Sequence, residues 1–295
     1  MIKQKWNYIV AFLLYILVLT FTILGFVYEK TNLKVERVEI QFDNLPKTFN
    51  NFKIVQISDI HLGSFQSTKT VEKSVEMINS LNPDIVIFSG DMINVSSSEV
   101  NPYMNILSKI KARYGKYSVL GNHDIGDYFS LRKPINQNEI TTQLILDEQK
   151  MGFIMLIDSS CYIKIGNDSI ALIGINNCGN YPFLHSGNLQ KAIKNTNYYD
   201  FKILVSHDPD EWNSEVLNQT NINLTLSGHT HAMQMAIICK LFKMSPAALK
   251  YSEWYGLYSS DNQKIYVNPG MSYSGFSGRI GTRPEITCIT LKSKK

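Results

Sequence analysis

Lys53-Ile54-Val55-Gln56-Ile57-Ser58-Asp59-Ile60-His61 runs from an apolar, β-branched segment straight into a carboxylate and an imidazole, side chains of the kind that can ligate metals. The same arrangement recurs along the chain. Gly90-Asp91 comes after Asp84-Ile85-Val86-Ile87-Phe88, and Gly121-Asn122-His123-Asp124 after Tyr117-Ser118-Val119-Leu120. Ser206-His207-Asp208 comes after Phe201-Lys202-Ile203-Leu204-Val205, and Gly228-His229-Thr230-His231 after Leu224-Thr225-Leu226. Short runs of this composition predict buried strands. Polar residues at the carboxyl ends of strands in an α/β sheet fall on one edge, where such folds place ligands. Segments far apart in sequence can therefore meet in one site.

The candidate ligands are the seven residues Asp59, His61, Asp91, Asn122, His207, His229 and His231. Imidazole, carboxylate and amide oxygen without thiolate suit Mn, Fe or Zn. Seven donors exceed one tetrahedral zinc. They fit two cations about 3.5–4 Å apart that share a bridging carboxylate. The i, i+2 spacing of Asp59/His61 and of His229/His231 would point each pair to one side of an extended segment. Gly90, Gly121 and Gly228 precede ligands, where the chain must turn and approach closely.

The ordered blocks D-x-H, G-D, G-N-H-D, a late histidine and G-H-x-H, spanning residues 52–231, resemble the calcineurin-like metallophosphoesterases. The resemblance implies an α/β fold, a four-layer αββα sandwich of two mixed sheets flanked by helices. It also implies two divalent cations, with manganese favoured. One would be held by Asp59, His61, Asp91 and His231, the other by Asp91, Asn122, His207 and His229, with Asp91 as the bridge. His123 would face the scissile phosphate and help the leaving oxygen depart, and Asp124 would orient His123. Many relatives carry a second aspartate three residues after the bridging one; here that position is Asn94. The implied activity is phosphoester hydrolysis by metal-activated water, on a phosphodiester or a lipid-linked phosphate. A pyrophosphatase acting on UDP-2,3-diacylglucosamine in lipid A synthesis is the alternative, and a non-catalytic scaffold of the same fold is a second. No G-x-S-x-G nucleophile elbow occurs in the chain.

From Trp6 to Tyr28 there is no charged residue. That length meets the requirement of about 20 residues for a spanning helix. No A-x-A-like site comes after it, so an uncleaved single-pass anchor is favoured over a signal peptide. Residues 1–30 are thus read as anchor, 31–51 as linker and opening strand, and 52–295 as the catalytic domain. Lys3 and Lys5 on one side nearly balance Lys30, Lys34 and Arg37 on the other. The short basic amino terminus leans towards a catalytic domain outside the cytoplasmic membrane. The net charge is +4 and the longest basic run is Lys292-Ser293-Lys294-Lys295, which gives nucleic-acid binding little support. Cys161, Cys178, Cys239 and Cys288 form no C-x-x-C pair and read as reduced, with bridges left open.

Helices are expected over 68–81, 102–110 and 141–151, and further strands over 33–42, 169–175, 264–267 and 285–291. Residues 232–258, directly after the last ligand, are rich in Met, Ile, Phe, Trp and Tyr. They read either as core-completing helix and loop or as an apolar wall that meets lipid. The glycine-rich segment 268–286 resembles the closing segment of the membrane-associated bacterial branch. Arg279 or Arg283 is a candidate phosphate clamp there. His185, in the Pro182-Phe183-Leu184-His185 loop, is a weaker candidate for substrate contact.

Overall fold

A computed structural model describes residues 2–126, 137–179, 186–239 and 241–294. The His185 loop lies outside the described residues. The chain opens with α1 (Ile2–Val27), then β1 (Lys34–Phe42), β2 (Lys53–Ile57), α2 (Lys69–Ser80), β3 (Ile85–Phe88), α3 (Met104–Leu107), β4 (Lys116–Ser118), α4 (Gln137–Lys150) and β5 (Phe153–Met155). The second half holds β6 (Ser159–Ile165), β7 (Asp168–Gly174), α5 (Leu189–Ile193), β8 (Lys202–Val205), β9 (Leu224–Ser227), β10 (Ile237–Ile238), β11 (Lys243–Met244), β12 (Gly256–Ser260), β13 (Gln263–Val267) and β14 (Glu285–Ser293).

Two mixed six-stranded sheets result, in the orders β1-β14-β2-β3-β4-β5 and β12-β13-β9-β8-β7-β6. The five strands that precede ligand blocks are the parallel neighbours β2, β3 and β4 in one sheet and β8 and β9 in the other. Alternation along β3 explains the layers. Ile85 and Ile87 pack between the sheets with Ile54, Val119, Ile203 and Leu226. Val86 and Phe88 point the other way, against Val71, Val75 and Ile78 of α2 and Leu144 of α4. Each such fully buried side chain contributes about 1.5–3 kcal/mol relative to exposure. Beyond the second sheet, Leu204 and Val267 pack on Leu189 of α5 and on Trp212. Gln56 pins the sheets together beneath the site, donating from Nε2 to Ser89 Oγ at 3.0 Å and to the Ser227 carbonyl at 2.9 Å.

Three expectations change in detail. The helix over 102–110 shrinks to α3, because the amides of Lys109 and Ile110 bond three residues back and tighten the turn. The helix over 141–151 begins earlier, at Gln137. Among the described residues, 232–258 form no α-helix: a tight turn (His231–Gln234) leads into the β10–β11 hairpin, a 3-10 turn (Pro246–Leu249) and the start of β12. All four cysteines are free thiols.

The α1 helix has 26 residues, about 39 Å at 1.5 Å per residue, against roughly 30 Å of bilayer hydrocarbon. Only 6% of its most apolar window is buried. Its carboxyl end is seated on the segment after β13. The Arg279 amide donates to the Gly25 carbonyl at 3.2 Å. Phe26 meets Phe276 edge-on at 4.9 Å, and Glu29 accepts from the Gly281 amide at 2.6 Å.

Candidate metal centre

At the ends of β2, β3 and β9 the chain does not stay extended. Asp59, His61, Asp91, His229 and His231 have φ of 49, 45, 62, 68 and 50°, all in the left-handed region. For non-glycine residues this costs on the order of 1–3 kcal/mol each, and such strain clusters at functional sites. The i, i+2 argument from extended backbone is therefore corrected. Asp59 and His61 do converge, but through left-handed turns that fold the strand end back. Gly121 and Gly228 permit the closeness, since a Cβ on Gly121 would strike the Asp91 carboxylate and one on Gly228 would strike Ser58 and Asp59.

Donor atoms of Asp59, His61 and His231 lie within 4.8 Å of one another, as do those of Asp91, His207 and His229. Asp91 stands between the two groups. Its Oδ1 accepts from the His123 amide at 2.9 Å. Its Oδ2 faces His207 Nε2 at 3.2 Å and His61 Nε2 at 3.7 Å. On the first side, His231 Nε2 is 3.2 Å from Asp59 Oδ1 and 3.1 Å from His61 Nε2. On the second, Asn122 Oδ1 is 2.9 Å from His229 Nδ1. All seven expected ligands are thus brought together. His123 also enters donor range of His61 and Asp91, which the sequence did not foresee.

The rings are held from behind. A carbonyl only accepts, so the Nδ1 next to one carries the hydrogen. His61 Nδ1 donates to the Ile93 carbonyl at 3.2 Å and His207 Nδ1 to that of Ser89 at 2.8 Å. In neutral His61 this leaves the Nε2 lone pair facing inward, the arrangement that outer partners impose on metal-binding histidines; in His207, raised by Asp91, a cation would take the place of the hydrogen on Nε2. His229 is held at Nε2 by the Tyr251 hydroxyl at 3.0 Å, with Asp208 Oδ2 at 3.7 Å. Among the described residues, buried Asn122 Nδ2 makes no hydrogen bond, and His207 Nε2 is turned to Asp91 Oδ2.

The electrostatics fit cations. Buried carboxylates cost several kcal/mol each unless positive charge is near. Burial would raise Asp59 and Asp91, yet neighbouring imidazoles, His231 for the first and His207 for the second, hold both below the usual carboxylate range. Against the opposing effect of burial, the Asp91 carboxylate lifts His207 to about 10. Burial lowers His61 to about 3. Convergent imidazole, carboxylate and amide donors in a dry site are a good match to divalent cations of the Mn, Fe or Zn type.

Asp124 does not orient His123. Its two oxygens accept from the amides of Gly121 (2.9 Å), Asp91 (2.8 Å), Met92 (2.9 Å) and Ile93 (3.3 Å), tying two ligand loops together. Burial and then the Asp91 carboxylate push Asp124 up to about 7. The orienting group for His123 is the Asn94 carbonyl, which accepts from Nδ1 at 2.8 Å. Arg279 is fully buried. It donates from Nε to the Ser272 carbonyl at 2.9 Å, and from Nη2 to the Pro269 carbonyl at 2.6 Å and to His231 Nδ1 at 3.2 Å. Arg283 donates from Nε to the Asn32 carbonyl and from Nη2 to its side chain, each at 2.9 Å. The Nε and Nη2 atoms of both guanidinium groups are taken by protein partners, while buried Arg279 Nη1 makes no hydrogen bond among the described residues. Tyr251 had no signal in the sequence, Asn94 was marked only as a departure from the family pattern, and Asp208 lies inside the Ser206-His207-Asp208 block.

A cavity of about 350 Å³ opens onto the centre, lined by His229, His231, Tyr251, Lys250, Met233 and Phe276. That volume lies at the small end of ligand pockets, roughly 300–1,000 Å³.

Two stacked mixed sheets with carboxylate, imidazole and amide donors gathered at their strand ends define a metallophosphoesterase architecture. The chain belongs to the calcineurin-like phosphoesterase family, whose model matches residues 52–233. A transmembrane protein with metallophosphoesterase domain from Danio rerio is 33% identical over 268 residues, covering 88% of this chain and 57% of that protein. The Bos taurus protein of the same description is 29% identical over 269 residues, with 88% and 57% covered. The chain thus spans just over half the length of these two relatives. An uncharacterized metallophosphoesterase, YkuE of Bacillus subtilis, is 30% identical over 263 residues, covering 84% of this chain and 82% of that one.

Proposed function

We propose that the chain hydrolyses a phosphoester with two divalent cations, manganese favoured, while α1 anchors it in a membrane. The observation that carries this reading is the position of Asp91, with Oδ2 turned to His207 at 3.2 Å and to His61 at 3.7 Å. Asp59, His61, Asp91 and His231 hold one cation, and Asp91, Asn122, His207 and His229 hold the other. Bound there, the cations would acidify water and offset charge on the phosphoryl oxygens. The residues do the rest. The left-handed turns fix the carboxylates, and the Ile93 and Ser89 carbonyls fix two imidazoles with Nε2 inward. His123, held at Nδ1 by Asn94, presents Nε2 and gives a proton to the oxygen that leaves as the phosphorus–oxygen bond breaks. Asp124 acts through the backbone of both ligand loops.

The nucleotide-lipid pyrophosphatase alternative is not favoured by the comparisons. With lysine and arginine near balance around α1, the short basic amino terminus supports a catalytic domain outside the cytoplasm; a reporter fused after Lys295 tests it. For the activity, manganese-loaded protein should hydrolyse bis-p-nitrophenyl phosphate. A chelator should abolish the hydrolysis and manganese should restore it. Folded, metal-replete protein inert towards every phosphoester offered would overturn the reading.

A further inference from the structure

Beside the metal centre, on the α1 side, lies a second and larger cavity of about 830 Å³. Phe21 of α1 forms one wall, Met235, Ile237 and Met244 the facing hairpin, and Leu249 and Ile280 its ends. Its size falls within the range of pockets that enclose apolar ligands, roughly 300–1,000 Å³. Around it the chain leaves large apolar groups in the open. Leu241 and Leu249 are each 93% exposed, and Ile237, Phe242 and Met244 are more than half exposed. A soluble surface rarely gathers such a patch without a partner.

Depth identifies the occupant. From Phe21 to Val27, the end of α1, is six residues, about 9 Å at 1.5 Å per residue. Apolar faces of membrane-surface elements sink roughly 5–10 Å into the boundary of headgroups and acyl chains. A groove that climbs α1 to Phe21 therefore reaches acyl chains if α1 crosses a bilayer. Charge agrees: residues 241–252 carry Lys243 and Lys250 and no acidic residue, which suits anionic headgroups.

The groove and the mouth of the metal centre share a wall. Met235 pairs with Ile280 as a strand bridge, and the Ala236 amide donates to the Ile280 carbonyl at 2.9 Å. Met235 and Ile280 line the groove, while Met233 and Phe276, from the same two segments, line the mouth. We propose that the groove between α1 and the β10–β11 hairpin seats an acyl chain of a bilayer phospholipid, so that a lipid phosphate is presented to the metal centre from the membrane plane. The substrate class is then a lipid phosphoester. This rests on reading α1 as an anchor and the centre as a phosphoesterase.

The test uses the full chain in nanodiscs of phosphatidylcholine and phosphatidylglycerol, doped with a phospholipid carrying a diazirine in one acyl chain. After illumination, crosslinks are mapped by mass spectrometry; this readout needs no turnover. Crosslinks should concentrate on residues 235–249 and on Phe21. The double variant Ile237→Asp/Met244→Asp should lower the hairpin crosslinks at least about tenfold, because carboxylates are strongly disfavoured among acyl chains. Leu249→Asp, at a fully open position, gives a second reading if the double variant folds poorly. Crosslinks spread evenly around α1 and sparing the hairpin would overturn the proposal. So would hairpins of two copies of the chain joined by a bifunctional crosslinker in a parallel sample. Hydrolysis of bis-p-nitrophenyl phosphate, measured in parallel, reports the centre alone. Hairpin labelling without any hydrolysis would fail the phosphoesterase reading and leave the groove standing; hydrolysis without hairpin labelling would do the reverse.

Discussion

Arg279 donates from Nη2 to His231 Nδ1 at 3.2 Å, and its own backbone amide donates to the Gly25 carbonyl in the last turn of α1 at 3.2 Å. One buried residue thus joins the end of the apolar helix to the ring of a candidate ligand. The guanidinium is enclosed by the Pro269, Gly270 and Ser272 carbonyls. Burial lowers its pKa only to about 10, so it stays charged at neutral pH.

Arg279 is accordingly a positioning residue for the 269–272 loop, whose Met271 and Ser272 amides donate to the Ser58 and Asp59 carbonyls behind a candidate ligand. Arg279→Met should weaken cation binding roughly 10–100-fold, the usual effect of removing the support behind a ligand. It also leaves the buried Pro269 and Ser272 carbonyls short of a donor, at about 1–3 kcal/mol each, while the Gly270 carbonyl keeps the Glu285 amide. Titration calorimetry with manganese on the folded fraction separates the two effects. Partial recovery of affinity in Arg279→Lys would support positioning; unchanged affinity in Arg279→Met would remove the role.

Asp91 faces both donor groups at once, so Asp91→Asn should release both cations together. Elemental analysis of the purified variant should show stoichiometry falling from two towards none. Retention of one tightly held cation would argue against a bridge at this position.

His123 touches the centre, but its Nδ1 is committed to Asn94. His123→Ala should keep both cations and lose about 10²–10⁴-fold in kcat, the range expected for a general acid. The loss should be smaller for aryl esters, whose leaving oxygen needs little help from a proton. Equal losses for aryl and alkyl esters would point to His123 as a ligand instead.

Much of this centre was legible in the sequence, for a physical reason. The strand ends announce themselves because β2, β3, β8 and β9 are covered on both faces and so read as near-continuous apolar runs. The residues after each run must lie at the sheet edge, and that constraint picks out the seven donors. The conformation of the edge was not legible: left-handed φ at Asp59, His61 and Asp91 breaks the local preference of those residues and is sustained by their surroundings. Asp124 was misread because adjacency to His123 in sequence says nothing of direction, and its carboxylate turns back to four amides. Tyr251 and Arg279 arrive from loops that only tertiary packing brings to the histidines. In the segment 232–258, Tyr251, Trp254 and Tyr255 are buried and complete the core without the expected helix, while Met235, Ile237 and Met244 are exposed.

Cation removal should be visible in stability as well as in activity. The ligand cluster places Asp59 and Asp91 in a dry site where bound cations offset their charge. Ligands that bind only the folded state stabilise it by about 2.7 kcal/mol at a hundredfold excess over Kd. For a chain of this length that corresponds to a Tm shift of roughly 5 °C or more. Differential scanning fluorimetry with manganese and with a chelator should show it. Asp91→Asn should abolish the difference, and a wild-type Tm indifferent to manganese would sink the expectation.

Glu211 offers a pH signature away from the metal centre. It is buried, and burial followed by the nearby Glu215 charge raises its pKa from 4.5 to about 8. A carboxyl raised on folding binds its proton more tightly in the native state. Its stabilising contribution is complete below the unfolded pKa, fades as pH climbs, and is gone above the folded value. Between about pH 5 and about pH 8 the native state should therefore lose stability at this residue. Glu211→Gln keeps the shape and removes the titration. Its Tm should match the wild type near the acid end of that window and exceed it by several degrees at the alkaline end. Parallel Tm–pH curves for the two proteins would mean that Glu211 is already ionised in the fold.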